Sequence, residues 1–296
     1  MTWIITVPAY GIRWINVKHL FDVTANLNAA SDVSVSKDHR IYVVDGANNK
    51  IRIFDKNGKY LSSFGKEGSQ NGEFKFPLGI DIDNSGKVYI ADSGNHRLQI
   101  FNPDGKFIAK IILPSKNNQP ADPSDVAVDE TRNRCYVVDN DNHYIIVYDL
   151  SNHKYIKTYG SPGSGKLAFR YPFLITLDKD KYLYIVDVIN TRVQVLNPDG
   201  LFVAFIGGWG VEKGEFFRPK GVAIDRNNRV YVSDSYLGVI QIFDSNGEFF
   251  AVVGDPAKKV PKKFKTPMGL FIDNNNRLYV VEMLANRVSV YHIETK

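Results

Sequence analysis

A period of 47 or 48 residues, short alternating apolar runs with no helical period, and Asn-Gly or Asp-Gly turns between those runs predict an all-β fold. That fold is a six-bladed β-propeller with four antiparallel strands per blade. The period shows first in the carboxylates Asp45, Asp92, Asp139, Asp187, Asp234 and Glu282. Each ends a run of one kind: IYVVD, VYIAD, CYVVD, LYIVD, VYVSD and LYVVE. A tyrosine stands three residues before each carboxylate (Tyr42, Tyr89, Tyr136, Tyr184, Tyr231, Tyr279). One such unit cannot bury both its faces; neighbours around a ring can.

The elements of a unit follow in order. The first strand is SDVSV, PLGIDID, PSDVAVD, PFLITLD, PKGVAID or PMGLFID, opened in five units by Pro77, Pro123, Pro172, Pro219 and Pro267. The run ending in the carboxylate is the second strand. The third is KIRIFD, RLQIFN, YIIVYD, RVQVLN, VIQIFD or RVSVYH. A hairpin turn (KNGK, PDGK, PDGL or SNGE) leads to a fourth, such as KYLSSFG or LFVAFIG. The sixth unit has no fourth strand before Lys296, whereas Ile12–Val23, IRWINVKHLFDV, is strand-like and precedes the first unit. It is expected to close the last blade. The chain thus reads as one domain, residues 1–29 forming the closing segment and six repeats spanning about 30–296. Trp3, Ile4, Ile5 and Val7 are expected to form an extra edge strand or a contact surface.

The 296 residues are 44% hydrophobic and carry a net charge of +5 with a pI near 9.0. That balance suits an anionic partner, or simply a basic globular protein. The single cysteine, Cys135, excludes an intrachain disulfide and a Cys-based zinc site, and its apolar run predicts a buried, inert thiol. The start, MTWIITVPAYGIRW, lacks the basic and long apolar regions of a signal peptide. No run approaches the roughly 18 apolar residues of a membrane span. A soluble, unexported chain is expected, with the compartment open.

The run ADSGNHRLQIF, preceded by FPLGIDID and followed by NPDG, resembles the NHL repeat, and the resemblance covers all six units. It implies a six-bladed NHL propeller. Relatives of that kind include RNA-binding propellers, protein-interaction modules, sensor domains of receptor kinases and the zinc-dependent peptidylglycine amidating lyase; bacterial ones are often exported. Asp92, Asn95, His96 and Arg97 look like a catalytic or metal set, but they recur. Asn48, Asn95, Asn142 and Asn190 stand three residues after the carboxylate, and Lys50, Arg97, Arg192 and Arg287 five after. A pattern repeated around the ring is turn architecture, with Asn capping backbone groups and Arg pairing the carboxylate. Unit five, DSYLGVI, lacks both residues, and unit three has Tyr144 in place of Arg.

His96 and His143 occupy this repeat position in adjacent units, and His19, His39, His153 and His292 are scattered. No three ligands converge, and no Ser/His/Asp set, phosphate loop or H-E-x-x-H motif occurs. No catalytic residue, metal or cofactor is assigned. First strands line the channel, which places Asp32, Asp81 and Asp125 of three consecutive blades at its mouth. They suit a cation or ordered water, or a plain solvated channel. The five inter-blade loops, about 65–77, 113–124, 160–172, 207–219 and 254–267, hold twelve Lys or Arg against six Asp or Glu. Lys258, Lys259, Lys262, Lys263 and Lys265, with Arg170, Arg218 and Lys220, make this face basic, as a phosphate-binding surface or a solvated one. Phe76, Tyr171, Trp209 and Phe217 lie there too and suit stacking. Phe74, Phe169, Phe216 and Phe264 each precede a blade-opening proline by three residues, which marks them as packing. Trp209 breaks the repeat and is the best contact residue. The expected function is a non-enzymatic scaffold binding another protein through this face. The alternative is single-stranded RNA or another polyanion, and a remote third is a metal-dependent lyase or hydrolase at the channel mouth.

Overall fold

The structure is a computed structural model that describes residues 11–116 and 118–294. Among the described residues six sheets are arranged as blades, each built on four antiparallel strands, with two short strands added to that of blade 5. Blade 1 comprises Ala30–Val35, Ile41–Asp45, Lys50–Phe54 and Tyr60–Phe64; blade 2 comprises Pro77–Ile82, Val88–Asp92, Arg97–Phe101 and Phe107–Ile112. Blade 3 comprises Pro123–Asp129, Arg134–Asp139, Tyr144–Asp149 and Tyr155–Tyr159; blade 4 comprises Pro172–Leu177, Leu183–Asp187, Arg192–Leu196 and Phe202–Ile206. Blade 5 comprises Pro219–Ile224, Val230–Asp234, Val239–Phe243 and Phe249–Asp255; blade 6 comprises Pro267–Ile272, Arg277–Glu282, Arg287–Ile293 and, from the other end of the chain, Val17–Val23. Helical structure among the described residues is limited to three single turns.

Local chemistry sets the hairpins. Gly58, Gly105, Gly200 and Gly247 end the turns between third and fourth strands with φ between 82° and 87°, a region that favours glycine. The Asp or Asn that opens each turn accepts backbone N–H groups across it; Asn197 Oδ1 takes those of Asp199 at 3.0 Å and Leu201 at 2.9 Å. Packing then joins the blades. Six hydrophobic clusters each lie between two adjacent blades rather than within one. The tyrosine before each carboxylate belongs to this packing. In blades 2, 4, 5 and 6 its hydroxyl donates to the aspartate of the preceding turn, as Tyr89 does to Asp83 at 3.1 Å. Blade 1 has Ser36 in place of that aspartate, and Tyr42 donates instead to Pro103 O of blade 2 at 2.8 Å.

The N-terminal segment closes the ring as expected, with one difference. Val17–Val23 pairs antiparallel with Arg287–Ile293 and completes blade 6. Trp14–Ile15, expected in the same strand, instead pairs parallel with Val252 and Val253 on the outer edge of blade 5. Ile15 is buried in the cluster between blades 5 and 6, so its apolar side chain settles the choice. Between the two pieces, Asn16 Nδ2 donates to Glu294 Oε2 at 2.6 Å. The segment therefore bridges two blades. The expectation for Trp3, Ile4, Ile5 and Val7 falls outside the described residues.

Candidate functional site

Turns between second and third strands share one face of the ring with the inter-blade loops, and the repeated carboxylates hold the two together. Each is buried and accepts the backbone N–H of a residue about one strand pair upstream. Asp45 takes Asn28 N at 2.7 Å, Asp92 takes Lys75 N at 2.8 Å, Asp187 takes Arg170 N at 2.7 Å, and Glu282 takes Lys265 N at 2.7 Å. Arg97 pairs with Asp92 at 2.7 Å and also donates to the carbonyls of Ser69, Gln70 and Glu73. Arg192 repeats this with Asp187 at 2.9 Å and the carbonyls of Ser164, Gly165 and Ala168. Arg287 pairs with Glu282 at 2.8 Å. In blade 1 the pairing differs from the expectation: Arg52, seven residues after Asp45, makes the ion pair at 2.5 Å, and Lys50 does not. Positions five and seven after the carboxylate lie on one side of the third strand, so the longer, forked side chain takes the site.

The two departures from the repeat leave their turns without the Arg clamp, although Asp139 and Asp234 still accept backbone N–H groups of the loops. In blade 5, Asp234 accepts from Tyr236 N and Leu237 N of its own turn, and Tyr236 projects outward at 66% exposure. Turn centres that are Ala47, Gly94 and Asp141 in blades 1 to 3 become Ile189, Tyr236 and Leu284 in blades 4 to 6, all three exposed. These apolar substitutions are legible in the sequence but are masked by attention to the flanking Asn and Arg.

Trp209 is 76% exposed. Its backbone makes the same bridge to Phe216 that Glu67 makes to Phe74 and Pro162 to Phe169, so the architecture needs no indole there. Val211 and, further along the same loop, Phe217 are exposed too, and the Phe217 ring lies tilted against Tyr236 with centroids 4.2 Å apart. Phe76 and Tyr171 are exposed directly before their prolines at φ 50° and 53°, an uncommon conformation for an aromatic residue. Phe74, Phe169, Phe216 and Phe264 are buried in the inter-blade packing. Arg170 and Arg218 are exposed among the apolar residues of blades 4 and 5.

The lysines expected to form one cluster make different contacts. Lys258 and Lys259 sit at the tip of a hairpin between Phe249–Asp255 and Val260–Pro261, with Lys258 Nζ 3.7 Å from Asp255. Lys262 is half-buried over the Tyr291 ring at 4.8 Å. Lys263 donates to Leu237 O at 2.9 Å, and Lys265 is exposed. Lys220 is half-buried above the Phe173 ring at 4.1 Å; burial, then the charge of Arg218, brings its ammonium down to about 8. His96 and His143 are tied separately to backbone carbonyls, Ala121 O at 2.7 Å and Asn140 O at 3.0 Å.

Asp32, Asp81 and Asp125 do meet, in an axial cavity of about 250 Å³. Its lining includes Asn84, Glu130 and Lys181 from the turns of the opposite face and no inter-blade loop residue, so the cavity lies toward that opposite face. Each reaches forward to the next blade: Asp32 accepts from Ile80 N, Asp81 from Val128 N and Asp125 from Ile175 N. Burial pushes Asp32 up to about 8 and Asp81 to about 6; burial and then the charges of Asp32 and Asp81 raise Asp125 well above the ordinary carboxylate value. Among the described residues no three His, Cys, Asp or Glu side chains are grouped to hold a metal ion. Cys135 is buried, as its run predicts. Among the described residues no helix is long and apolar enough to cross a membrane.

Ring closure and six repeated blades define a six-bladed propeller. A family model described as 6-bladed beta-propeller (DUF5128) matches residues 25–119 and 84–184, more than half of the chain, and the protein belongs to that family. No curated protein sequence matches it. Among solved structures, a streptogramin B lyase superimposes with a TM-score of 0.68 at 12% identity, covering 94% of this chain and 98% of that one. Virginiamycin B lyase from Staphylococcus aureus gives 0.62 at 17% identity, covering 88% and 80%. A structural genomics protein from Bacteroides thetaiotaomicron VPI-5482 gives 0.68 at 15% identity, covering 94% and 73%. At these identities the likeness is one of fold.

Proposed function

We propose that this chain is an NHL-type binding propeller whose inter-blade loop face docks another protein on the apolar crescent of blades 4 to 6. The observation that carries this reading is the exposure of Trp209 and Tyr236, side chains the repeat does not need, on a loop and a turn joined by buried Asp234 and Gln241. Arg170 and Arg218 beside them complete the composition typical of interface hot spots, and preorganised loops cost little ordering on binding. The NHL assignment rests on the Asp-Asn-Arg turn of blades 2 and 4. Affinity capture with wild type and with Trp209→Ala/Tyr236→Ala tests the reading. A protein retained by wild type and lost by the variant, with unchanged melting, is expected. The same proteins on both matrices would overturn it.

Single-stranded RNA is the second reading, favoured by the basic balance of the loops and the exposed rings of Phe76 and Trp209. It stands second because Lys262 and Lys263 already make contacts within the protein. RNA titrated against salt, with Lys258, Lys259, Lys262 and Lys263 each changed to Glu, separates the two. Weak binding at low salt only, indifferent to the variant, is expected. Tight binding at physiological salt that the variant loses would put RNA first. The lyases among the fold neighbours supply a third reading, a metal-dependent reaction at the axial cavity, which stoichiometric divalent metal in the purified protein would bring forward.

A further inference from the structure

The second residue of each first strand stands at the loop-face end of the channel: Ser31, Leu78, Ser124, Phe173, Lys220 and Met268. Blade 5 alone places a charge there, and Leu78, Phe173 and Met268 show that the packing accepts an apolar side chain. Phe173 packs against the cluster between blades 4 and 5 and also against that between blades 6 and 1, so its ring reaches across the axis. Lys220 Nζ lies 4.1 Å from the centre of that ring.

Lys220 keeps part of its surface open to solvent, and among the described residues its amine has neither an ion pair nor a hydrogen bond. The first strands on either side, Pro172–Leu177 and Pro267–Ile272, carry no charged residue. The carboxylates that end the neighbouring second strands are engaged elsewhere, Asp187 by Arg192 and Asp234 by the N–H groups of Phe217 and Arg218. Arg218 is the charged group that acts on Lys220, and it repels the ammonium form. A lysine set over an aromatic ring, beside a second cation and without a carboxylate, favours its free base and becomes a nucleophile.

We infer that Lys220 is a nucleophilic amine that captures a small aldehyde bearing an acidic group. Nζ adds to the carbonyl carbon, the carbinolamine loses water, and a C=N bond replaces the C=O bond; one water leaves and nothing is oxidised or reduced. Arg218 supplies the cation that draws the acidic group, and the Phe173 ring gives the carbon chain an apolar surface. This chemistry needs no protein partner, so it and the docking reading of blades 4 to 6 can fail separately.

Succinic semialdehyde and the neutral butanal, each trapped on the protein with cyanoborohydride and mapped by mass spectrometry, test it. At pH 7.5 succinic semialdehyde is expected to alkylate Lys220 about tenfold faster than the other lysines of the same sample. The reason is that roughly a quarter of an amine at about 8 is unprotonated there, against on the order of a thousandth of an ordinary lysine. That advantage should shrink at pH 10, where ordinary lysines also lose their protons. Measured against the other lysines, Lys220 should prefer the semialdehyde to butanal by about threefold, and Arg218→Gln should erase the preference. Lys220→Met should melt at or above the wild-type temperature, because blade 6 carries Met268 at this position and an unpaired, half-buried charge is removed. Alkylation of Lys220 no faster than of the other lysines at pH 7.5 overturns the inference, as does an equal preference for the two aldehydes. A lowered melting temperature for Lys220→Met also overturns it, by showing that the ammonium is already bonded within the fold.

Discussion

Asp32 illustrates how one side chain carries both structure and a pH response. Its Oδ2 accepts Ile80 N of the next blade at 3.1 Å, and its Cα and Oδ1 occupy the space left by the missing side chain of Gly269 in the blade behind. That position buries it and raises its pKa from the ordinary 3.8 to about 8. Between those values the folded protein keeps a proton that the unfolded chain has released. Stability from this group is therefore complete below about pH 4 and falls as pH rises toward 8, with Asp81 and Asp125 acting in the same direction. Asp32→Asn keeps an acceptor for Ile80 N and removes the titration. Its melting temperature should change less between pH 5 and 8 than that of wild type, and it should exceed wild type at pH 8. A melting profile parallel to wild type would show that Asp32 is not protonated in the fold.

At the scale of elements, Ile12–Val23 is the segment whose placement the repeat pattern leaves undecided. Val17–Val23 supplies the fourth strand of blade 6, while Trp14–Ile15 adds a parallel fifth to blade 5. Without them, the third strand of blade 6 becomes an unpaired edge and the cluster between blades 5 and 6 loses Ile15. Deletion of residues 1–24 should lower the melting temperature sharply; an unchanged melt would show that the ring closes by other means. The inter-blade loops behave oppositely. Their buried Arg97 and Arg192 each bind one carboxylate and three carbonyls, which holds the loops in place without regular secondary structure.

The whole molecule is held by contacts between blades, and close approach at the axis makes those contacts unforgiving. A Cβ on Gly79 would lie 2.2 Å from Asp125 Oδ1 and 2.5 Å from Asp125 Cα in the next blade, whereas one on Gly165 would meet nothing within 4 Å. Gly79→Ala should therefore destabilise the protein by about 1–3 kcal/mol in urea unfolding, through overpacking, and Gly165→Ala should stay within about 0.5 kcal/mol of wild type. Equal effects would mean that the blades shift freely against one another. The same closeness buries Asp32 and Asp125 and directs the axial cavity away from the loop face, so the two candidate sites open on different sides of the ring.

Blade number, strand order, the hairpin turns and the burial of Phe74, Phe169, Phe216 and Phe264 are determined by the sequence itself, because each follows from alternation, turn chemistry or a period visible within about 50 residues. Trp209 was legible as well, since it breaks that period. Other features were decided by the tertiary structure. Arg52 rather than Lys50 reaches Asp45, because two positions on one side of a strand compete for a single carboxylate. The lysines of 258–265 differ in their contacts, because a hairpin, the Tyr291 ring and Leu237 O each take one or two of them. Tyr148 loses its hydrogen-bonding partners only when blades 2 and 3 pack together. Repeat chemistry acts along the chain, whereas burial, pairing and exposure of these side chains depend on neighbours that closing the ring brings together.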